Sequence, residues 1–166
     1  MRPISVSSIV LVICLMVALV SSAGCLCGPI YSASPAPSAS LEPAADPAMG
    51  QIDADLARGP VFVDFGATWC EWCVKEKPVI DHLTSEYPGI TFYSVDVDND
   101  TDLARAFYVG GIPQMNVIVK KNADGSYLYM GPSGQPTGDR KKSAIIGYTE
   151  SDQLEPVLNA SLDARK

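Results

Sequence analysis

Apolar and polar positions along this chain follow two periods, and the switches between them mark its elements. Residues 61–65 (Val-Phe-Val-Asp-Phe) are a β-branched and aromatic run behind Gly59-Pro60, which predicts a buried strand. Beyond Cys70 the period lengthens: Val79, Ile80, Leu83 and Tyr87 share one face of a helix predicted over 70–87, which Pro88-Gly89 ends. Pro78 lies inside that helix and predicts a kink, because its ring removes a hydrogen bond and crowds the preceding turn. Residues 90–97 read as the next strand, and Asp98-Asn99-Asp100-Thr101 as a turn rich in N-cap residues. Leu103, Ala104, Phe107 and Tyr108 then give the apolar stripe of a short helix. Residues 115–119 read as a strand, 122–125 as a turn, and 127–130 as the antiparallel partner. Ahead of all these, Met49, Ile52 and Leu56 predict a short amphipathic helix capped at Arg58-Gly59. Strands separated by helices pair in parallel through crossovers, and a late hairpin adds antiparallel edges. The expectation is an α/β domain over 46–166 with a mixed sheet.

Two earlier segments do not belong to that pattern. Residues 9–20 are an unbroken apolar run behind Arg2, 12 residues long. That suits the core of a signal peptide and falls short of the ~18–20 residues a membrane-spanning helix needs. Residues 1–24 are therefore expected to direct export, and an uncleaved anchor stays open if Ile4 and Val6 extend the run. Ser22-Ala23-Gly24-Cys25 resembles a bacterial-type lipoprotein cleavage site, in which Cys25 becomes the lipidated N-terminus. Residues 25–45 form a linker, and 14 of the 19 residues from 29 to 47 are Pro, Ala or Ser, a composition that stays extended. The localisation expected from this is extracytoplasmic, tethered to the membrane by Cys25 or by the uncleaved helix. The alternative is a soluble periplasmic or secreted protein.

Composition narrows the function. Of the 166 residues, 12 are Lys or Arg and 19 are Asp or Glu, a net charge of −7 with no basic run before residue 140. That argues against nucleic-acid binding. Of five cysteines, Cys14 lies in the apolar run, Cys25 and Cys27 flank the cleavage point, and only Cys70 and Cys73 fall in the domain. No structural disulfide framework, metal or cofactor is expected. Cys70 stands at a helix start, where unpaired N–H groups and the helix dipole favour a thiolate. Cys73 lies one turn further, within reach of a mixed disulfide formed at Cys70. The spacing alone also suits zinc. His82 lies within the helix with no second ligand near it and is expected to be an ordinary helical residue. Asp64, in an apolar strand, is expected to have its pKa raised by burial and to accept the Cys73 proton during exchange.

The wider motif decides between these chemistries. Val63-Asp64-Phe65-x-Ala67-x-Trp69-Cys70-x-x-Cys73 resembles the signature of the thioredoxin family, and its companions follow in order: Pro78, then Gly111-Ile112-Pro113, then Gly147 and Gln153-Leu154. The resemblance covers about residues 61–162. It implies a thioredoxin fold, a mixed sheet with helices on both faces, and a redox-active Cys70–Cys73 disulfide. It also implies a cis Pro113 facing the cysteines, where backbone beside Ile112 and Pro113 pairs with an extended substrate. Trp69 is expected to wall the site, and Glu71 and Trp72 to face solvent and contact substrate. Three departures from the family stand out: Gly66 where many members carry tryptophan, Ser94 where they carry a buried lysine, and an insertion over 131–143. The insertion reads as a surface loop with Arg140-Lys141-Lys142 at its tip, either solvated or docking a partner. Pro156, five residues past an N-cap predicted at Ser151, is expected to bend the last helix or delay its start.

The function expected is thiol–disulfide exchange on protein or peptide disulfides, by a monomer with Cys70 as nucleophile and Cys73 as resolving thiol. Glu71 and Asp64 place negative charge near the sulfurs and disfavour the thiolate, which makes the dithiol a reductant. An exported reductase also needs electrons from a membrane thiol carrier. The alternatives are an oxidase or isomerase using the same cysteines, and a peptide-binding module with little turnover.

Overall fold

The computed structural model describes residues 47–166. The leader over 1–24 and the whole linker over 25–45, Cys25 included, lie outside them. The elements in chain order are α1 (Pro47–Asp55), β1 (Val61–Gly66), α2 (Glu71–Glu86), β2 (Thr91–Asp96) and α3 (Thr101–Ala106). They continue with β3 (Gln114–Lys121), β4 (Tyr127–Met130), β5 (Pro136–Thr137), β6 (Ile145–Ile146) and α4 (Ser151–Asp163). The sheet runs β2-β1-β3-β4-β5, with β6 also on β3. β2 is parallel to β1, and the pairs β1–β3, β3–β4, β3–β6 and β4–β5 are antiparallel. The mixed sheet expected from the strand spacing is present.

β1 alternates its side chains between two helical layers, as a strand with a period of two must. Phe62 packs with Ile80 and Leu83 of α2, Met115 and Val117 of β3, and Leu154 and Leu158 of α4. Val61, Val63 and Phe65 point the other way, into Ile52 and Leu56 of the first helical segment and Leu103 and Phe107 of the other helical layer. Both faces of the strand are closed. On the second face the Tyr93 hydroxyl of β2 donates to Asp55, a buried carboxylate that also holds Arg58, so α1 is tied to the sheet by polar contacts as well. At the far end of the chain, Arg165 donates to the carbonyls of Leu56 and Val119, both at 2.8 Å.

Three expectations change here. Tyr108 leaves the apolar stripe: it follows the end of α3 in a left-handed conformation (φ 55°) and its side chain is exposed. The last helix neither starts late nor begins at a Ser151 cap. Glu150 is the N-cap, its N–H bonded to Oε1 of Gln153 at 3.3 Å, and Pro156 is accommodated within α4. Pro78 likewise lies within the continuous α2.

The third change concerns the insertion over 131–143: most of it is exposed, as a surface loop should be, but Arg140 is not free at its tip. Arg140 turns inward, donating from Nε to the Tyr129 hydroxyl and from a terminal nitrogen to the Ala106 carbonyl, each at 2.6 Å. Its guanidinium lies 4.6 Å from the Phe107 ring centre. Beneath it, Asn116 of β3 donates to the Arg140 carbonyl at 3.2 Å and to the buried Ser143 hydroxyl at 2.8 Å. Gln114 in turn donates to Asn116 and to the Phe107 carbonyl. This polar chain fastens the insertion to the middle of the sheet, and of the basic triplet only Lys141 and Lys142 stay exposed. Charge-assisted hydrogen bonds contribute about 1.5–3 kcal/mol when broken from one side. Arg140→Ala is thus expected to lower the unfolding free energy by about 2 kcal/mol in urea titrations, whereas Lys142→Ala should stay within about 0.5 kcal/mol of wild type.

Candidate active site

β1 ends at Gly66, and four residues later the chain enters α2 through Cys70. Cys70 is the N-cap, with extended backbone (φ −83°, ψ 107°), and its Sγ accepts the Cys73 N–H at 3.1 Å. That contact does for sulfur what a serine or aspartate oxygen does at an ordinary cap, and it aims orphan N–H groups of the first turn at the Cys70 sulfur. Cys70 and Cys73 are joined as a disulfide with Cα atoms 5.3 Å apart. In this oxidised state Cys70 is 7% exposed and Cys73 is the more accessible residue. Gly66 explains how closely Cys73 sits on the strand. A Cβ at residue 66 would stand 3.3 Å from the Cys73 Cβ and 3.4 Å from its Sγ, tighter than ordinary packing.

The Ile112–Pro113 bond is cis, as the family resemblance implies. Register brings it to the cysteine end of the sheet, because Gln114, the next residue, pairs with Phe65 at the end of β1. Pro113 is buried and its carbonyl accepts the Gly147 N–H at 2.8 Å, with Gly147 in the left-handed region (φ 95°). Ile112, Gly111, Val109, Ala104, Arg105 and Trp69 line one shallow groove, so Trp69 and the loop before Pro113 share a surface.

Trp69 is 68% exposed and held on the surface by its Nε1, which donates to Asp98 at 2.7 Å. Glu71 and Trp72 face solvent as expected. Trp72 leans toward Tyr148, with ring centres 6.1 Å apart, and the Lys75 ammonium lies 5.0 Å from one ring and 4.6 Å from the other. His82 is half exposed on α2 near Glu86, an ordinary helical position. Among the described residues, no cluster of three or more His, Cys, Asp or Glu side chains has the arrangement of a metal site.

Behind the cysteines lie carboxylates. Asp64 stands two residues before Gly66 on the same face of β1, and burial pushes its pKa up to about 6, with the Lys77 ammonium pulling the other way. Its Oδ1 is buried without a partner. Opposite it on β2 is Ser94, which is exposed and uncharged. A second carboxylate, Glu76, escaped the sequence reading. It is one turn past Cys73 on the buried stripe that Ile80 and Leu83 continue, and burial pushes its pKa up to about 7, the Thr149 N–H lowering it and the Asp64 charge adding to the rise. A helical wheel that admits acids to the apolar face would have found it at Cys73 plus three.

Comparison with known proteins places this arrangement. The thioredoxin family model matches residues 49–150. Thioredoxin 1 of Chlorobaculum tepidum is 40% identical over 75 residues, covering 43% of this chain and 74% of that protein. The bifunctional thioredoxin reductase/thioredoxin of Mycobacterium leprae is 44% identical over 105 residues, which are 60% of this chain but only 20% of that longer protein. Among solved structures, Fasciola hepatica thioredoxin superposes with a TM-score of 0.51 at 24% identity, covering 68% of this chain and 90% of that one, a likeness of fold. With its Trp-Cys-x-x-Cys disulfide at the head of α2, this chain belongs to the thioredoxin family and is a thiol–disulfide oxidoreductase.

Proposed function

We propose that the protein is an extracytoplasmic reductase of disulfides in exported proteins, with Cys70 as the attacking thiolate, Cys73 as the resolving thiol and Asp64 as its proton acceptor. The observation that carries the reading is the Cys70–Cys73 disulfide at the N-cap of α2, with Asp64, a buried carboxyl of raised pKa, two residues before the Gly66 that meets Cys73. In the reducing direction the Cys70 thiolate attacks one sulfur of a substrate disulfide, and the other sulfur leaves as a thiolate that takes up a proton. Cys73 gives its proton to Asp64 and attacks the Cys70 sulfur. The Cys70–Cys73 bond forms, the mixed disulfide breaks, and the second substrate thiolate leaves and is protonated. Two electrons pass from the protein dithiol to the substrate. A pKa near 6 leaves Asp64 ionised at neutral pH yet basic enough to take a proton, the compromise an acid–base group needs.

The direction of flow rests on charge. Glu71 lies between the cysteines at the surface, Asp64 and Glu76 are buried beneath, and Ser94 stands where the resemblance places a lysine opposite Asp64. Such surroundings disfavour the thiolates and so favour surrender of electrons. The location rests on the apolar run over 9–20 and the small residues before Cys25, and the membrane tether and membrane thiol donor follow from it. No helix among the described residues is long and apolar enough to cross a membrane, so any tether belongs to the segment before them.

Three outcomes follow. Equilibrated against glutathione or dithiothreitol, the cysteine pair should show a potential near that of thioredoxin, about −270 mV, and a value near −120 mV would make it an oxidant. Cys70→Ser should abolish insulin reduction while Cys73→Ser retains the first attack and accumulates a mixed disulfide detectable by mass. A peptide-binding module would be indifferent to both changes. Expressed at full length in a bacterial host, the protein should sediment with membranes, and Cys25→Ala should release it or leave it as an uncleaved precursor; recovery of the wild type in the cytoplasm would refute the location.

Asp64 also sets a pH dependence. Its folded pKa lies above the unfolded value, so the native state holds this proton more tightly, and the associated stability is complete below about pH 4 and lost as the pH rises through 6. Asp64→Asn is expected to shrink the fall in unfolding free energy between pH 4 and pH 8 by about 2–3 kcal/mol, measured by urea titration at each pH. An unchanged slope would show that Asp64 titrates normally.

A further inference from the structure

The buried face of α2 carries an acid where packing asks for an apolar side chain. Glu76 is 1% exposed and sits between Cys73 and Ile80 on the stripe that meets β1. Its Oε1 accepts the Thr149 N–H at 2.9 Å, while its Oε2 and the Oδ1 of Asp64 are both buried and bond nothing. An idle buried oxygen costs stability that leucine at the same position would not. Packing therefore does not account for Glu76. The surroundings offer little relief. From α2, Lys77 acts on Asp64 at a distance but is bonded to Asp81 in solvent, at 2.9 Å. From the strands, Ser94 and Met115 stand opposite Asp64, and from the turn before α4 only the Thr149 N–H reaches Glu76. Among the described residues, no cation forms an ion pair with either carboxylate.

We propose that Glu76 is a positioning residue for thiol–disulfide exchange, acting on Cys73 through Asp64. This rests on the exchange reading above and deepens it. Two carboxyls packed behind one cysteine do not both ionise easily, so their protons leave in two steps that belong to the pair. Between the two steps the pair holds one proton and one charge: Asp64 stays open to the Cys73 proton, and the proton on Glu76 keeps a second negative charge away from the sulfur. Once both are ionised, the doubled charge opposes formation of the Cys73 thiolate that must attack Cys70. Resolution of the mixed disulfide then slows. Raised pKa values of about 6 and about 7 for the two groups agree with this order of ionisation.

Two measurements test it on the full chain. The first is a carbon-13 titration of the side-chain carboxyls in the oxidised protein, which requires no exchange activity. Asp64→Asn removes the like charge and should lower the Glu76 midpoint by about half a pH unit or more; an unmoved midpoint overturns the coupling. The second is insulin reduction, with dithiothreitol as electron source, across pH 6 to 8. Glu76→Gln keeps the shape and the acceptor for Thr149, and its rate relative to wild type should climb from near unity at pH 6 to about threefold at pH 8. A ratio that does not change with pH makes Glu76 merely structural and overturns the proposal. If the exchange reading itself is wrong, the wild type reduces no insulin while its carboxyls still titrate as a pair. If only the role of Glu76 is wrong, the wild type is active and the carboxyls titrate independently.

Discussion

β1 has no side open to water. Its two edges are hydrogen-bonded to β2 and β3, and its two faces are covered by separate helical layers. A strand in that position must be apolar along its whole length, because any polar side chain on it loses hydration with no solvent-facing edge to recover it. Four of its six residues are wholly buried hydrophobes. The exceptions, Asp64 and Gly66, share one face, and that face looks at α2. The chemistry of the molecule is thus concentrated where its central strand breaks the rule that makes it central.

The layer between β1 and α2 does two jobs with one row of contacts. Phe62 against Ile80 and Leu83 holds the helix on the strand. Cys73 and Glu76 belong to the same helical stripe, and Asp64 and Gly66 to the same strand face. Gly66 removes the one side chain that would force the helix outward at its cysteine end, since even a Cβ there would crowd Cys73. Hydrophobic packing, which has no directional chemistry of its own, is what sets the place of the Asp64 carboxyl.

What the sequence makes legible follows from how local each signal is. The strand–cysteine–helix unit, the hairpin and the position of Pro113 are written in short motifs with short-range physics, and they can be read off in order. Asp64 was legible because a lone acid in an apolar strand violates its surroundings. Glu76 was not, since acids are common on helices and only the burial of that face, a tertiary fact, makes this one unusual. Arg140 failed for the same reason in reverse. In sequence it heads a basic triplet in a glycine-rich insertion, whereas in the fold it is captured by Tyr129, Phe107 and the Ala106 carbonyl, each brought in by a different element. The motif fixes the position of Trp69 in the chain but not its partner, Asp98, which holds it at the surface.

The charges around the disulfide have one sign, and that bears on which state the protein prefers. Asp64 and Glu76 are buried with idle oxygens, the residue opposite Asp64 is an exposed serine, and the nearest lysine on α2 is engaged in solvent. Opening the disulfide adds two sulfurs that ionise, and every thiolate charge would be placed against carboxylates that already resist their own. The helix N-terminus pulls the other way, since its dipole and the orphan N–H groups stabilise a thiolate at Cys70. Those two fields act on different sulfurs. Cys70, at the cap, feels the dipole first, whereas Cys73, a turn inside and against Gly66, feels the carboxylates. The dipole therefore favours ionisation at Cys70 while the carboxylates oppose it at Cys73, the asymmetry that the proposed order of attack and resolution requires.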